Sequence, residues 1–107
     1  MNSFASLFNC MYNLMSSIEF DVRKSLKNLR ERGMGFERFA EMDLDAALMV
    51  DGTRRDYGER RIRVLGRING SLYAAVITPR GEKIRVISLR RASEREERAY
   101  EEERQSS

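Results

Sequence analysis

Arg61-Ile-Arg-Val-Leu-Gly-Arg-Ile68, Asn69-Gly70, Ser71-Leu-Tyr-Ala-Ala-Val-Ile-Thr78, Pro79-Arg-Gly-Glu82 and Lys83-Ile-Arg-Val-Ile-Ser-Leu-Arg-Arg91 form the stretch that decides the fold. It reads as three β-strands joined by two tight turns. Asn69-Gly70 between two apolar runs is a strong hairpin signal, because a type I′ turn needs positive φ at both central positions. Pro79 and Gly81, on either side of Arg80, mark the second turn. The middle strand, Leu72 to Ile77, is almost uninterrupted apolar, the pattern of a strand covered on both faces. The flanking strands alternate: Arg61, Arg63 and Arg67 against Ile62, Val64 and Ile68, then Lys83 and Arg85 against Ile84 and Val86. With a side-chain period of two, these cations share one face of each strand.

The charge of the 107-residue chain is only +3, but residues 61–91 hold eight Lys/Arg and one acidic residue, Glu82, a local charge of +7. Residues 1–60 and 92–107 are each slightly acidic. Concentrated positive charge on a sheet fits a face that binds polyanions. It also fits a solvated edge strand guarded against aggregation. The length allows one domain with one modest core. Cys10 is the single cysteine, which excludes an intramolecular disulfide and points to a reducing, cytoplasmic setting. Without histidine and with one thiol, the usual zinc patterns are excluded, and no metal or other cofactor is expected. No run of ~18 apolar residues is present to span a membrane.

Residues 1–17 carry no charge and place Phe4, Leu7, Phe8, Met11, Leu14 and Met15 near helical spacing. They read as a separate extension: a docking helix, a disordered segment or a start-site artefact with Met15 or Met11 the true beginning, the artefact being favoured. A signal peptide would need a positive n-region. Ile18-Glu19-Phe20 suits a short edge strand, and Asp21 an N-cap. Val22, Leu26 and Leu29 recur at i, i+4, i+7 and so mark one helix face, which Gly33 closes. Lys24, Asn28 and Arg32 form a polar stripe on another face, the ordinary reading of which is a solvated surface. A second short helix follows, with Phe36, Phe39 and Ala40 packing inward. Residues 46–50 read as a strand and residues 51–60 as a polar loop. Asp43 and Asp45, on the polar turn before the strand, read as loop residues rather than metal ligands. Ser93 and Glu96 make a capping box. The charged helix they open runs to about Arg104, with only Ala99 and Tyr100 apolar, and residues 105–107 are a tail.

Taken together, Ile18-Glu19-Phe20-Asp21, Lys24, Asn28, Gly33 and Phe36-Glu37 resemble the opening of the BrnT toxins. So do Gly58-Glu59-Arg60, Leu65-Gly66-Arg67 and Thr78-x-Arg80-Gly81. The most specific part is the ending, Ile84 to Ser93 followed by Glu96 and Tyr100. The resemblance spans residues 18–102 and defines a domain over 18–104. It implies an α+β, RelE-like fold: a twisted, mainly antiparallel sheet with two N-terminal helices and a C-terminal helix. It further implies a ribonuclease that arrests translation, neutralised by a BrnA-type antitoxin in a 2:2 heterotetramer. That pair would bind promoter DNA through the antitoxin. The chain departs from the family pattern at Arg32, where the family carries histidine. A guanidinium holds phosphate but does not shuttle protons near neutrality.

RNA cleavage by attack of a 2′-OH on the adjacent phosphate needs stabilisation of a dianionic phosphorane and movement of protons. Arginine supplies the first, through its planar, permanently charged fork. Arg67, Arg90 and Arg91 are therefore candidate catalytic groups, with Arg85, Lys24, Asn28 and Arg32 as RNA contacts. Glu96 and Tyr100, one helical turn apart, are the candidate proton carriers, although Glu96 also has a capping role and Tyr100 an anchoring one. Arg90 and Arg91 are consecutive, so a regular strand points them to opposite faces. A rival reading is a non-catalytic nucleic-acid-binding or co-repressor subunit, which the substitution at Arg32 favours.

Overall fold

The alternating stretch becomes an antiparallel meander at the centre of a five-stranded sheet. The computed structural model describes residues 18–54, 56 and 58–106; the 1–17 extension, Arg55, Tyr57 and Ser107 lie outside the described residues. In chain order the elements are β1 (Ile18–Phe20), α1 (Val22–Arg32), a 3-10 helix (Phe36–Glu41), β2 (Leu48–Asp51), β3 (Ile62–Ile68), β4 (Ser71–Arg80), β5 (Lys83–Arg91) and α2 (Glu94–Ser106). The strand order is β1-β5-β4-β3-β2. β1 runs parallel to β5, and the other pairs are antiparallel. The domain is thus α+β with a mixed sheet. No helix among the described residues is long and apolar enough to cross a membrane.

At the first turn, Asn69 (φ 51°) and Gly70 (φ 85°) both take the left-handed conformation that a type I′ hairpin requires. The second turn is displaced from the sequence expectation. Its two residues are Gly81 and Glu82, and Pro79 lies inside β4, paired with Ile84. Proline is tolerated there because β3 ends its pairing at Ile77, so the tip of β4 has a sheet neighbour on one side only. The register between β4 and β5 shifts at Val76/Ile77: Val76 opposes Ser88, while Ile77 opposes Val86. Ile87 is the extra residue, a bulge that resets the parity of β5.

One face of the sheet carries the core. Ile62, Val64 and Ile68 of β3, Ala75 and Ile77 of β4, and Ile84, Val86 and Leu89 of β5 pack with Met34, Phe36, Phe39, Met42 and Leu44. Phe39, Ile62 and Ile77 have no exposed surface. The second N-terminal helix is a 3-10 helix rather than an α-helix, which changes the inward residues. At three residues per turn, Phe36, Phe39 and the following Met42 share a face, while Ala40 turns outward and is exposed. Gly66 leaves room for the methionine: a Cβ there would lie 2.6 Å from Met42 Cγ and Sδ.

α1 begins as expected, with Asp21 Oδ1 accepting from Arg23 N and Lys24 N at 2.9 and 3.2 Å, and ends at Gly33 in the left-handed conformation. The apolar stripe of α1 does not enter the core. Val22, Leu26 and Leu29 are 64%, 51% and 49% exposed, and Ser25 is the buried residue of the helix. α1 is fastened by polar side chains instead. Ser25 Oγ accepts from Phe36 N at 2.8 Å, and Asn28 Nδ2 donates to Met34 O and Leu89 O, both at 2.8 Å. These bonds satisfy backbone groups that the turn after the helix and the strand would otherwise leave open. β4, expected to be covered on both faces, is covered unevenly: Leu72, Ala74 and Thr78 are buried on the face away from the core, but Val76 is only half-buried.

Phe39→Ala is expected to lower the unfolding free energy by about 3–5 kcal/mol, because a cavity opens in the core. Leu26→Ala should change it by less than about 0.5 kcal/mol, as for an ordinary surface site. Urea-denaturation midpoints of the two variants check both values.

Candidate functional site

The sheet face opposite the core is where the cations gather. Arg63 and Arg67 of β3 alternate with buried Ile62, Val64 and Ile68 and so point to that face. Arg85 and Arg90 of β5 are an odd and an even position, which a regular strand would separate. The bulge at Ile87 brings both to the outward face, opposite Thr78 and Ala74 of β4. Arg91 pairs with Tyr73 and lies on the other face, its guanidinium 5.6 Å from the Tyr73 ring centroid.

Of Arg63, Arg67, Arg85 and Arg90, three are held by carboxylates. Arg85 Nη1 donates to Glu19 Oε2 at 3.0 Å, from the neighbouring β1. Arg67 Nη2 donates to Glu101 Oε2 at 3.0 Å and Nη1 to Gly70 O at 3.1 Å, and its guanidinium lies 5.3 Å from the Tyr100 ring centroid. Arg90 donates through both terminal nitrogens to the two oxygens of Glu96, each at 2.8 Å. Among the described residues Arg63 has no carboxylate within ion-pair distance.

Glu96 has two duties. Its Oε1 accepts from Ser93 N at 2.8 Å, and Ser93 Oγ accepts from Glu96 N at 3.2 Å, which completes the expected capping box of α2. Its other contact is the fork of Arg90. The Arg90 hydrogen bonds, with smaller help from Ser93, hold the Glu96 carboxyl at about 2. It is therefore ionised at neutral pH and anchors the Arg90 fork. Tyr100, the second candidate carrier, is buried, and its hydroxyl donates to Ala46 O at 2.8 Å. It fastens α2 over the outward face.

Beside that clamp the face opens into a groove. Leu48, Leu65, Ala74 and Val76 form an apolar floor, with Arg63, Arg90 and Glu96 at its rim, around an open volume of about 410 Å³. A polar cleft of about 780 Å³ adjoins it, lined by Asp51, Thr53 and Arg54 and sharing Arg63 and Arg90. The loop is tied down there: Asp51 Oδ1 accepts from Thr53 N at 2.9 Å, and Arg61 N donates to Thr53 Oγ1 at 2.9 Å. Arg63 and Arg90 thus stand where an apolar surface meets a polar one. That arrangement can hold an oxyanion beside a planar apolar group.

Of the sequence-derived candidates, Arg67, Arg85 and Arg90 share the outward face, and Glu96 and Tyr100 close over it from α2. Arg91 does not join them. Lys24, Asn28 and Arg32 lie on α1, which packs against the 3-10 helix on the core side. Asn28 is committed to two backbone carbonyls, while Lys24 and Arg32 are exposed. Arg63 was not among the candidates. It has the parity of Arg67 four residues on, but its place at the groove depends on the pairing of β3 with β2, which no motif announces. Among the described residues no three His, Cys, Asp or Glu side chains converge as a metal-ligand group.

Glu96→Gln is expected to cost about 1–2 kcal/mol at pH 7, a value reduced for the partial exposure of Arg90. The folded carboxyl lies below its usual 4.5, so its stabilisation is complete above that pH and disappears as pH falls through about 2. Denaturation of wild type and variant across this window should show the two curves converging in acid.

Comparison with known proteins agrees with the sequence resemblance. A search of curated proteins gave no match. A family model described as "Ribonuclease toxin, BrnT, of type II toxin-antitoxin system" matches residues 20–96, from the end of β1 to the first turn of α2. The match takes in well over half of the chain, including Arg63, Arg67, Arg90 and Glu96. The chain therefore belongs to the BrnT family, ribonuclease toxins of type II toxin–antitoxin systems.

Proposed function

We propose that the outward sheet face is the ribonuclease centre and that it cleaves single-stranded or ribosome-held RNA endonucleolytically, without a metal ion. The observation that carries this reading is the placement of Arg63 and Arg90 at the junction of the apolar groove and the polar cleft. A nucleotide has the matching two-part chemistry, a flat base and a charged phosphate. The ribose 2′-OH, giving its proton to solvent water, attacks the neighbouring phosphorus to close a 2′,3′-cyclic phosphate, the 5′-oxygen of the next nucleotide leaves and takes a proton from solvent, and the negative charge on the phosphorane is held by Arg63 and Arg90. Arg67 and Arg85 bind flanking phosphates. Glu96 acts as a positioning residue, because its bidentate contact fixes the Arg90 fork. Stabilisation by prealigned cations carries most of the rate in this scheme.

Helices on one side, a basic sheet face on the other and a C-terminal helix closing one end support a RelE-like classification. A type II toxin implies an antitoxin; a BrnA-type partner, a 2:2 assembly, promoter binding through that partner, cytoplasmic action and translational arrest belong to the same reading. The second reading, a non-catalytic nucleic-acid-binding or co-repressor subunit, is favoured by one observation, that Tyr100 has its proton engaged by Ala46 O; the resemblance, which implies a family histidine at the position of Arg32, points the same way.

Single-turnover incubation of the chain with end-labelled RNA in EDTA separates the readings. Cleavage leaving 2′,3′-cyclic phosphate ends is expected. Arg63→Ala breaks no ion pair among the described residues and should fold normally by circular dichroism, yet lower the rate about 10²–10³-fold, as for loss of a prealigned charge-stabilising donor. Arg91→Ala should remain near wild type. RNA bound but not cut, by chain alone or on ribosomes, would sink the ribonuclease reading in favour of the second.

A further inference from the structure

α1 presents a second unexplained surface, far in character from the groove. Val22, Leu26 and Leu29 are about half or more exposed at i, i+4, i+7, a spacing that aligns them along one helix face. Arg23, Lys27 and Arg30 repeat the same spacing one residue on and so form a continuous cationic flank. All three are exposed, and among the described residues none pairs with a carboxylate.

We propose that this stripe and its basic flank are the surface by which the antitoxin grips the chain, through an acidic amphipathic segment of the partner. The inference rests on the toxin–antitoxin reading and adds where the partner docks. Three aliphatic side chains offer no π-face for base stacking, so the stripe suits a protein rather than RNA. The flank selects an acidic protein. A second copy of this chain fits poorly, because a two-fold contact through the stripe sets two rows of unpaired cations side by side. The sheet face carries the proposed RNA site, whereas α1 packs with the 3-10 helix on the core side, so the stripe is a surface separate from it. An apolar seam with charges along its edge is how amphipathic segments are gripped in general.

The test titrates the full chain with the antitoxin encoded beside it, by calorimetry. Leu26→Asp/Leu29→Asp is expected to weaken binding at least about 30-fold, the loss typical of an interface hot spot. Leu26→Ala/Leu29→Ala serves as the milder variant should the aspartates disturb the helix. Reversal of the flank (Arg23→Glu/Lys27→Glu/Arg30→Glu) should weaken binding about 10-fold and flatten its dependence on salt. The leucine variants, assayed without antitoxin, should cut RNA at the wild-type rate.

Wild-type affinity in both leucine variants would overturn the surface while leaving the toxin–antitoxin reading intact. An antitoxin that fails to bind the wild-type chain would overturn the reading and the surface together. If the leucine variants instead abolish a dimer seen by sedimentation, the stripe belongs to a second copy. If affinity is unchanged and deletion of residues 1–17 exposes the α1 amides to hydrogen exchange, the stripe belongs to this chain's own N-terminal segment. Either result overturns the proposal.

Discussion

Strand parity governs this molecule. Each residue of β3, β4 and β5 faces either the core or the solvent, and a slip by one would invert all of them. The ladder between β3 and β4 runs in unbroken register from Ile62 opposite Ile77 to Ile68 opposite Ser71, so that face assignment is rigid. β5 adds one residue at Ile87. The insertion allows Ile84 and Val86 to enter the core from one half of the strand and Leu89 from the other. It also moves Arg90 to the side of Arg85. The packing requirement and the placement of charge are therefore met by the same irregularity.

Downstream of that bulge, the fork of Arg90 meets a carboxylate that is already part of a helix cap. Ser93, Glu96 and Arg90 form one connected set of hydrogen bonds, so the start of α2 and the aim of the guanidinium are not independent. Hydrogen bonds that share an ionised group reinforce one another in a partly dry setting. Farther along the helix, Tyr100 binds Ala46 O and underlies Arg67. A helix with one buried apolar residue is thereby held to the sheet largely by arginine contacts. Glu94, Glu97 and Glu102 are exposed on its other faces.

The meander was legible because its signals are local. Asn69-Gly70 fixes a turn, alternation assigns faces, and Ser93 with Glu96 announces a helix start. Asp21 and Gly33 likewise bracket α1 correctly. What escaped was decided by tertiary contacts. The 3.6-residue period of Val22, Leu26 and Leu29 is real, but periodicity names a stripe and not what it faces. Ser25 and Asn28 won the inward position because open backbone groups at Phe36, Met34 and Leu89 needed partners. The 3-10 geometry of residues 36–41 exchanged Ala40 for Met42 by the same kind of local competition. On the site, chemistry named Arg67, Arg85 and Arg90 by residue type. Only the register of β2 on β3 could add Arg63, and only the bulge could exclude Arg91.

β1 has three residues, and its partner lies at the far end of the chain. Ile18, Glu19 and Phe20 pair with Ile84, Arg85 and Val86, and the Glu19–Arg85 contact joins residues 66 positions apart. During synthesis from the N-terminus, β2, β3 and β4 can zip together as each emerges, because their pairings are short-range. β1 must wait until β5 exists. Long loops of this kind slow folding and make the closing contact late. The strand that opens the domain is therefore the last to join its sheet. The arginine face is completed, Arg85 bridged by Glu19, only once β5 is in place.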